Sequence, residues 1–498
     1  MKSIFKICIV LLALCGKIHS QNWLWSKSQN INPAGAYGSN VRLGSSGNLV
    51  SYFYSFNGSY VVFTNKDGDV VWNKYFQNLM IRDLCLDGSD NIYFAGSFSA
   101  TATIPPGTFT SQGNTDAIMG VLDASGILMK SKTFGANPAE SATSITLHGN
   151  EIFVTGTFFE PQTINSVTLQ GDGVHGNTYI LKLDMNLNAL AGNETASEGC
   201  WGTKIAVDQT NSVYLLGESV YTLSIGTQST YIANSGSYMA KLDYNLNITW
   251  LQTLVIHSAE GYYRPFIYFD ASNNFILGHV SGGGGGTDHA ILIEKYNSSG
   301  TELWETGTQV NRGMYMDIDN QDNIWIAGNY SHPDGSDALS IAKVNTGGTY
   351  TPLIFDEDID HSPAGLAVKA DNDFYMLGYC DGTSSLNGYG CSPKGSAFLA
   401  RYAANATGIK DKVVSLNTFD IYPNPSAGII TINCTSGGNK NCMLCIKNTL
   451  GEVVITYPIK DMPDQFSKDI DISSQAKGIY FVELQSGHDK KVEKIVFQ

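Results

Sequence analysis

Asn91-Ile-Tyr-Phe-Ala-Gly96-Ser-Phe98 is a β-branched and aromatic run closed by a glycine, and the chain repeats it. Versions stand at Glu151-Ile-Phe-Val-Thr-Gly156-Thr-Phe158, Ser212-Val-Tyr-Leu-Leu-Gly217-Glu218 and Asn274-Phe-Ile-Leu-Gly278. Two more are Asn323-Ile-Trp-Ile-Ala-Gly328-Asn-Tyr330 and Asp373-Phe-Tyr-Met-Leu-Gly378-Tyr379. Their glycines lie 60, 61, 61, 50 and 50 residues apart, and a weaker first copy, Asn48-Leu-Val-Ser-Tyr-Phe53-Tyr54, brings the total to seven. A fixed period of this length signals a repeat architecture.

Around each copy the pattern extends. An alternating segment ending in a turn precedes it, as at 81–87, 204–208, 266–270 and 315–319. Another strand-like run follows, at 117–123, 179–184, 238–243, 290–296, 339–344 and 398–402. A polar turn then leads to a fourth run, which carries Trp72, Trp250 or Trp304 in three copies. Four short strands per copy, separated by Asp, Asn and Gly turns, are the pattern of a β-propeller blade. No stretch sustains a 3.6-residue apolar period, so the expected fold is all-β with almost no helix. The seventh copy lacks a fourth strand, while 22–29 (Asn22-Trp-Leu-Trp25 onward) reads as a strand without a blade. The expectation is a seven-bladed β-propeller over residues 21–410, closed by this N-terminal strand so that no open edge remains.

On these residues the chain resembles the bacterial seven-bladed β-propeller repeat family. The phrase Asp116-Ala-Ile-Met-Gly-Val-Leu-Asp123-Ala-Ser-Gly126, an apolar strand, and then Asn-Ile-Tyr-x-x-Gly-Ser-Phe carry the likeness. So does an insert in copies two to four, such as Ala102-Thr-Ile104 followed by residues 108–116. The resemblance implies fold and leaves function open, because propellers host many activities.

The chain has 498 residues, 43% hydrophobic, 11% aromatic and 15% charged, which excludes a disordered protein. Residues 1–20 join a basic start (Lys2, Lys6) to a short apolar run and small residues, the pattern of a secretory signal peptide. The run is about half the 20 or so apolar residues needed to span a bilayer, and no later segment comes closer. The expected cut follows Ser20; a lipoprotein cut before Cys15 is the alternative, with Leu14 bulkier than such a cut prefers. Losing Lys2, Lys6 and Lys17 takes the formal charge from −15 to −18. Residues 418–498 hold 8 Lys and Arg against 9 Asp and Glu, so the acidity sits on the repeats. An acidic body repels phosphate backbones and anionic lipid, which argues against nucleic-acid or membrane-surface partners.

After a linker at 411–417 the text changes. Phe419-Asp-Ile-Tyr422-Pro423-Asn424-Pro425-Ser-Ala-Gly428 reads as strand, turn and strand; Leu450-Gly451-Glu452, Lys477-Gly478-Ile-Tyr480 and a basic end with Lys491 and Lys494 follow. About seven short strands in 80 residues make a small immunoglobulin-like β-sandwich over 418–498. This segment closely resembles the type A C-terminal sorting domain of the type IX secretion system. The resemblance implies translocation from the periplasm across a Gram-negative outer membrane, followed by release or surface anchoring, with the secretion machinery as partner. Cys434, Cys442 and Cys445 depart from the family pattern.

Seven cysteines survive processing. Cys380 and Cys391 flank one glycine-rich loop and are the expected disulfide. Cys434, Cys442 and Cys445 lack a fourth zinc ligand. Gly171-Asp-Gly173-Val-His-Gly176 matches G-x-G-x-x-G but runs into a strand, so no helix N-terminus can hold a phosphate. Gly282–286 lacks a phosphate-loop lysine. Asp356-Glu-Asp358-Ile-Asp360 has His361 where a calcium loop needs glycine, which leaves room only for a Ca²⁺ site of other geometry. No other cofactor is expected.

One constellation is singled out for binding. Glu140, Glu198, Glu260 and Asp360 occupy comparable linkers between fourth and first strands, with Trp201, Tyr262, Tyr263 and Arg264 nearby. Those linkers share a propeller face with the inserts, so the four acids would ring the channel mouth and suit a sugar or a cation. The bland alternative is four solvated acids. No nucleophile, His pair or Ser-His-Asp grouping stands in a catalytic context. The expected function is a non-catalytic binding or adhesion module for glycan or protein. The alternatives are an extracellular polysaccharide-acting enzyme, glycosidase or lyase, which would need a clustered acid/base pair, and a structural spacer.

Overall fold

The computed structural model describes residues 23–31, 38–55, 57–137, 139–254, 266–281, 290–308, 310, 312–331, 337–356, 361–380, 385–386, 389–390, 396–403, 416–436, 442–449, 453–459, 465–486 and 489–498. The signal-peptide expectation, Glu260, Tyr262, Tyr263, Arg264, Asp360, Cys391 and Gly451 lie outside them. The chain divides into two compact units, Met1–Ala406 and Thr407–Gln498. The described residues are all-β, without helix.

In the first unit the described strands pair antiparallel in sequence order, and the arrangement is propeller-like. Sheet 1 is Gly38–Leu43, Leu49–Ser55, Gly58–Thr64 and Val70–Gln77; sheet 2 is Leu79–Leu86, Ile92–Phe98, Asp116–Leu122 and Leu128–Phe134. Sheet 3 is Ser141–His148, Glu151–Phe158, Asn177–Asp184 and Ala189–Ser197; sheet 4 is Cys200–Val207, Val213–Ile225, Gln228–Leu242 and Ile248–Leu254. Sheet 5 is Phe266–Phe269, Phe275–Ser281, Ala290–Tyr296 and Glu302–Gly307, and sheet 6 is Arg312–Ile318, Ile324–Ser331, Asp337–Val344 and Tyr350–Asp356. Sheet 7 takes His361–Ala370, Asp373–Cys380 and Ala397–Ala403 from the end of the unit and Trp23–Ser28 from its beginning. The copy-two and copy-three inserts form hairpins, Thr101–Ile104 with Gly107–Thr110 and Gln162–Ile164 with Val167–Leu169. In sheet 4 the insert is absorbed into two long strands, whose tip pairs Thr195–Ser197 with Leu223–Ile225 and so joins sheets 3 and 4.

Burial explains the repeated phrase. Each second strand lies between neighbours on both faces, so Ile92–Phe98 is buried throughout, as is Asp116–Leu122, while the outer strand Val70–Gln77 alternates. A separate apolar cluster fills each gap between successive sheets, for example Phe63 against Phe94 between sheets 1 and 2 and Trp325 against Phe374 between 6 and 7. Val41 of sheet 1 likewise shares a cluster with Leu377 of sheet 7. The recurrent glycine has its own cause. In sheets 2, 3 and 4 it stands opposite a β-bulge of the first strand, between Ile81 and Asp83, Ala142 and Ser144, and Gly202 and Lys204. A Cβ on Gly217 would sit 2.6 Å from the Trp201 carbonyl oxygen and 2.5 Å from the Tyr238 hydroxyl.

The Asp-rich turns are also built alike. Oδ1 of Asp87, Asp123, Asp184, Asp208, Asp243, Asp270 and Asp319 accepts the N–H groups two and four residues on, at 2.8–3.0 Å. The fourth turn residue has positive φ and, after first strands, reaches the preceding sheet: Asn273 Oδ1 accepts from Gln209 N at 3.0 Å, and the Asp322 carboxylate from Ala271 N at 3.2 Å. The expected outer tryptophans act similarly, Trp72 Nε1 donating to Ala124 O at 2.8 Å and Trp304 Nε1 to Thr346 O at 3.2 Å, each in the next sheet's turn.

The second unit contains a three-stranded sheet (Leu416–Tyr422, Ile429–Ser436, Gln465–Asp471) and a four-stranded one (Val453–Ile459, Cys442–Asn448, Gly478–Ser486, Asp489–Phe497). One core joins them, with Phe419, Ile432 and Ile470 from the first meeting Leu444, Val482 and Ile495 from the second.

Candidate functional site

The acids singled out from sequence do not behave alike. Glu140 is fully buried and accepts from Ala136 N at 2.7 Å, so its carboxylate closes a local turn; burial raises its pKa. Full burial does not agree with the solvated reading for this residue. Glu198 is exposed. Trp201 is 44% exposed and stands in register with Glu218, whose carboxyl burial also raises. The Gly171–Gly176 loop runs into the strand Asn177–Asp184, and Asp172 there ties down the Val174 and His175 amides. Among the described residues the Cys85, Cys200 and Cys445 thiols are outside any disulfide, and no cluster of three or more His, Cys, Asp or Glu forms a metal-binding group.

A different set of residues converges. The first strands of all seven sheets line a cavity of about 480 Å³, bounded by Arg42, Cys85, Thr146, Lys204, Tyr268, Asp317 and Val368 among others. Asp83 organises one side. Its Oδ1 accepts from Arg42 Nη2 at 3.2 Å, and its Oδ2 from Lys204 Nζ at 2.6 Å, Ser144 Oγ at 2.8 Å and Ile145 N at 3.3 Å. A single carboxylate thereby joins sheets 1, 2, 3 and 4. Burial alone would raise the Asp83 pKa, but Lys204 and Arg42 beside it hold it below the ordinary carboxylate range.

Across the cavity Asp317 accepts from Val368 N at 2.7 Å and Ile318 N at 2.9 Å, joining sheets 6 and 7. The Tyr268 hydroxyl donates to Met316 O, joining 5 and 6. Ser39 Oγ donates to Ala364 O at 2.7 Å between sheets 1 and 7. Burial, partly offset by those amides, pushes Asp317 up to about 6. The Cys85 thiol is pushed up to about 12, chiefly by burial and then by the Asp83 charge, so it is a neutral wall group and no nucleophile.

None of Arg42, Asp83, Lys204 or Asp317 was singled out from sequence. A signal was present: Asp83, Ser144 and Lys204 are spaced by 61 and 60 residues, the glycine period, and each follows the bulge of its strand.

In the second unit the Tyr-Pro-Asn-Pro segment seats on the last strand. Asn424 Nδ2 donates to Lys494 O at 2.7 Å while its Oδ1 accepts from Val496 N at 2.9 Å, and Ser426 N donates to Val496 O at 2.8 Å. Gly428 N donates to Ser426 Oγ at 3.0 Å, Tyr422 OH accepts from Asn433 at 2.6 Å, and Tyr480 OH donates to Ala476 O at 2.5 Å. Lys494 is exposed. Pro423 and Pro425 both follow cis peptide bonds.

Residues 420–498 match the family model of a secretion system C-terminal sorting domain. A search of curated proteins finds no match. Among solved structures the chain is similar to Pyrococcus horikoshii acylaminoacyl peptidase (10% identity, 83% of this chain and 60% of that one, TM-score 0.41). It is also similar to a polysaccharide lyase, the PL25 ulvan lyase (11% identity, 73% and 94%, TM-score 0.42), and to the Dos1 propeller (8% identity, 75% and 93%, TM-score 0.37). The chain thus spans 60% of the peptidase's length. Likenesses this distant carry no chemistry. The sorting-domain match identifies the second unit as an export signal, and no helix among the described residues is long and apolar enough to cross a membrane.

Proposed function

We propose that this is a protein exported by the type IX secretion system to the cell surface or beyond, whose first unit is a closed seven-bladed β-propeller serving as a binding module. The observation that carries the export reading is the sorting-domain match over 420–498. The pairing of Asn424 and Ser426 with the last strand supports it, because it makes the motif one local structure. The second unit is read as an immunoglobulin-like sandwich that the secretion machinery engages. Seven sheets in sequence order, with Trp23–Ser28 paired to Ala397–Ala403, support propeller closure. The binding reading rests on the charged groups of the cavity: Asp83, Lys204, Arg42 and Asp317 each tie sheets together, which suits a rigid presenting scaffold for a glycan or protein ligand.

The export reading is tested in a bacterium carrying type IX machinery. The full chain is expected outside or on the surface, and a chain truncated after Asn417 is expected to accumulate in the periplasm. Equal export of the truncated chain would overturn it. A glycan array probed with the secreted chain tests the binding reading, and Glu198→Ala and Trp201→Ala locate its face.

A further inference from the structure

We propose that the cavity ringed by the seven first strands binds a small hydroxylated carboxylate of monosaccharide size, a sugar acid, through Arg42 and Lys204. At about 480 Å³ the cavity is too large for an inorganic ion and falls within the range of small-molecule pockets. Two cations face one ionised carboxylate on its first side. Lys204 uses one N–H on Asp83, and Arg42 uses Nε on Leu84 O and Nη2 on Asp83, so donors are left over on both groups. Their side chains are 22% and 25% exposed, which makes them reachable from the cavity. Guanidinium and ammonium donors are the groups that recognise a carboxylate most strongly. Hydroxyls on the same ligand would find acceptors in Asp317 and the Tyr268 oxygen, both in the cavity wall.

Charge balance then couples binding to a proton. The groups around Asp317 are Arg42 on sheet 1, Asp83 and the neutral Cys85 on sheet 2, Lys204 on sheet 4, Tyr268 on sheet 5 and Asp319 in the turn that follows its own strand. With both carboxylates ionised the two cations are fully compensated. With Asp317 protonated, one positive charge is in excess. A carboxylate entering the cavity therefore favours protonated Asp317 and binds more tightly as pH falls through about 6.

The inference does not depend on export, since a missorted chain would still bind and a well-sorted one could fail to. The test is calorimetric titration of the full chain with D-glucuronate at pH 5.5 and 7.5, with D-glucose and acetate in parallel. Saturable one-to-one binding of glucuronate is expected, about tenfold tighter at the lower pH. Asp317→Asn should bind at pH 7.5 more tightly than the unmodified chain and lose the pH dependence. Lys204→Gln should lose binding and Lys204→Arg retain it, with thermal unfolding followed to show that both are folded. Glucose bound as well as glucuronate, acetate bound as well as glucuronate, no binding at either pH, or undiminished pH dependence in Asp317→Asn would each overturn the proposal.

Discussion

The Lys204 ammonium lies 2.6 Å from Asp83 Oδ2 although 121 residues separate them, and this contact spans from sheet 2 to sheet 4. The two partners are unequal. Asp83 is 5% exposed and has Arg42, Ser144 and the Leu84 and Ile145 amides as further donors, whereas Lys204 is 22% exposed and, among the described residues, its ammonium bonds to Asp83 alone. Asp83→Ala leaves two cations and a hydroxyl without their acceptor and should cost about 3–5 kcal/mol, the range for breaking a buried pair. Lys204→Met leaves Asp83 with four donors, Arg42, Ser144 and the Leu84 and Ile145 amides, and should cost clearly less. Chemical denaturation of both variants checks the order; equal losses would mean that the carboxylate is not the organiser.

Asp317 imposes a pH dependence opposite in sign to that of Asp83. Its folded-state pKa, pushed up to about 6, exceeds the unfolded carboxyl value, so the native state holds the proton more firmly. Its contribution is fully present below about 4 and is lost as pH rises through 6, on the order of 2–3 kcal/mol at full extent. Asp83, held low by Lys204 and Arg42, contributes above about 4 and loses that contribution as pH falls further. Comparing Asp317→Asn with the unmodified chain isolates the first effect. The stability difference between the two should change between pH 4.5 and 7.5 in favour of the variant, as read from denaturation midpoints at each pH. A constant difference would contradict the raised pKa.

The recurrent glycine phrase was legible because burial on both faces forces the same apolar run in every copy, and a Cβ at Gly217 would meet backbone. The sorting segment was legible because Asn424 and the last strand bond to each other within one short unit. The cavity was not. Asp83, Ser144 and Lys204 occupy one structural position with three different chemistries, so a search for self-similarity passes over them. Glu140 and Glu198 differ in the structure although the sequence makes them alike. Both are linker acids in sequence, yet one is fully buried on the Ala136 amide and the other faces solvent.

Gly217 gives a local test of the bulge. A methyl there would press on the Trp201 carbonyl and the Tyr238 hydroxyl, and Tyr238 is fixed by Cys200 Sγ at 3.3 Å and Thr178 Oγ1 at 3.1 Å. Neither the backbone nor this buried triangle can retreat cheaply, so Gly217→Ala should destabilise by about 1–3 kcal/mol through overpacking. Gly149 has positive φ but open space around its Cβ, so Gly149→Asn, which tolerates that conformation, should change the melting temperature little. Similar losses at both positions would argue against the close approach as the cause.

Trp23 tests the joining of the chain's two ends. It is wholly buried, with its ring edge-on to Phe374 at 5.9 Å and to Tyr402 at 5.6 Å, and it pairs in register with Tyr402. Truncating a buried aromatic of this size costs about 3–5 kcal/mol. The loss should fall first on sheet 7, because Trp23–Ser28 is held to Ala397–Ala403 by a single strand's hydrogen bonds plus this side chain. Lys27 on the same strand reaches Asp67 O at 2.8 Å and Asp69 at 2.6 Å, but Asp69 is 63% exposed and solvent screens the pair, so Lys27→Ala should change stability little. Hydrogen exchange resolves the two. Trp23→Ala is expected to release protection in the Ala397–Ala403 amides before that of sheets 2 and 3, while Lys27→Ala leaves the pattern intact. If protection fell uniformly through the first unit in Trp23→Ala, the N-terminal strand would be an integral part of one cooperative core, and a latch that opens on its own would be excluded.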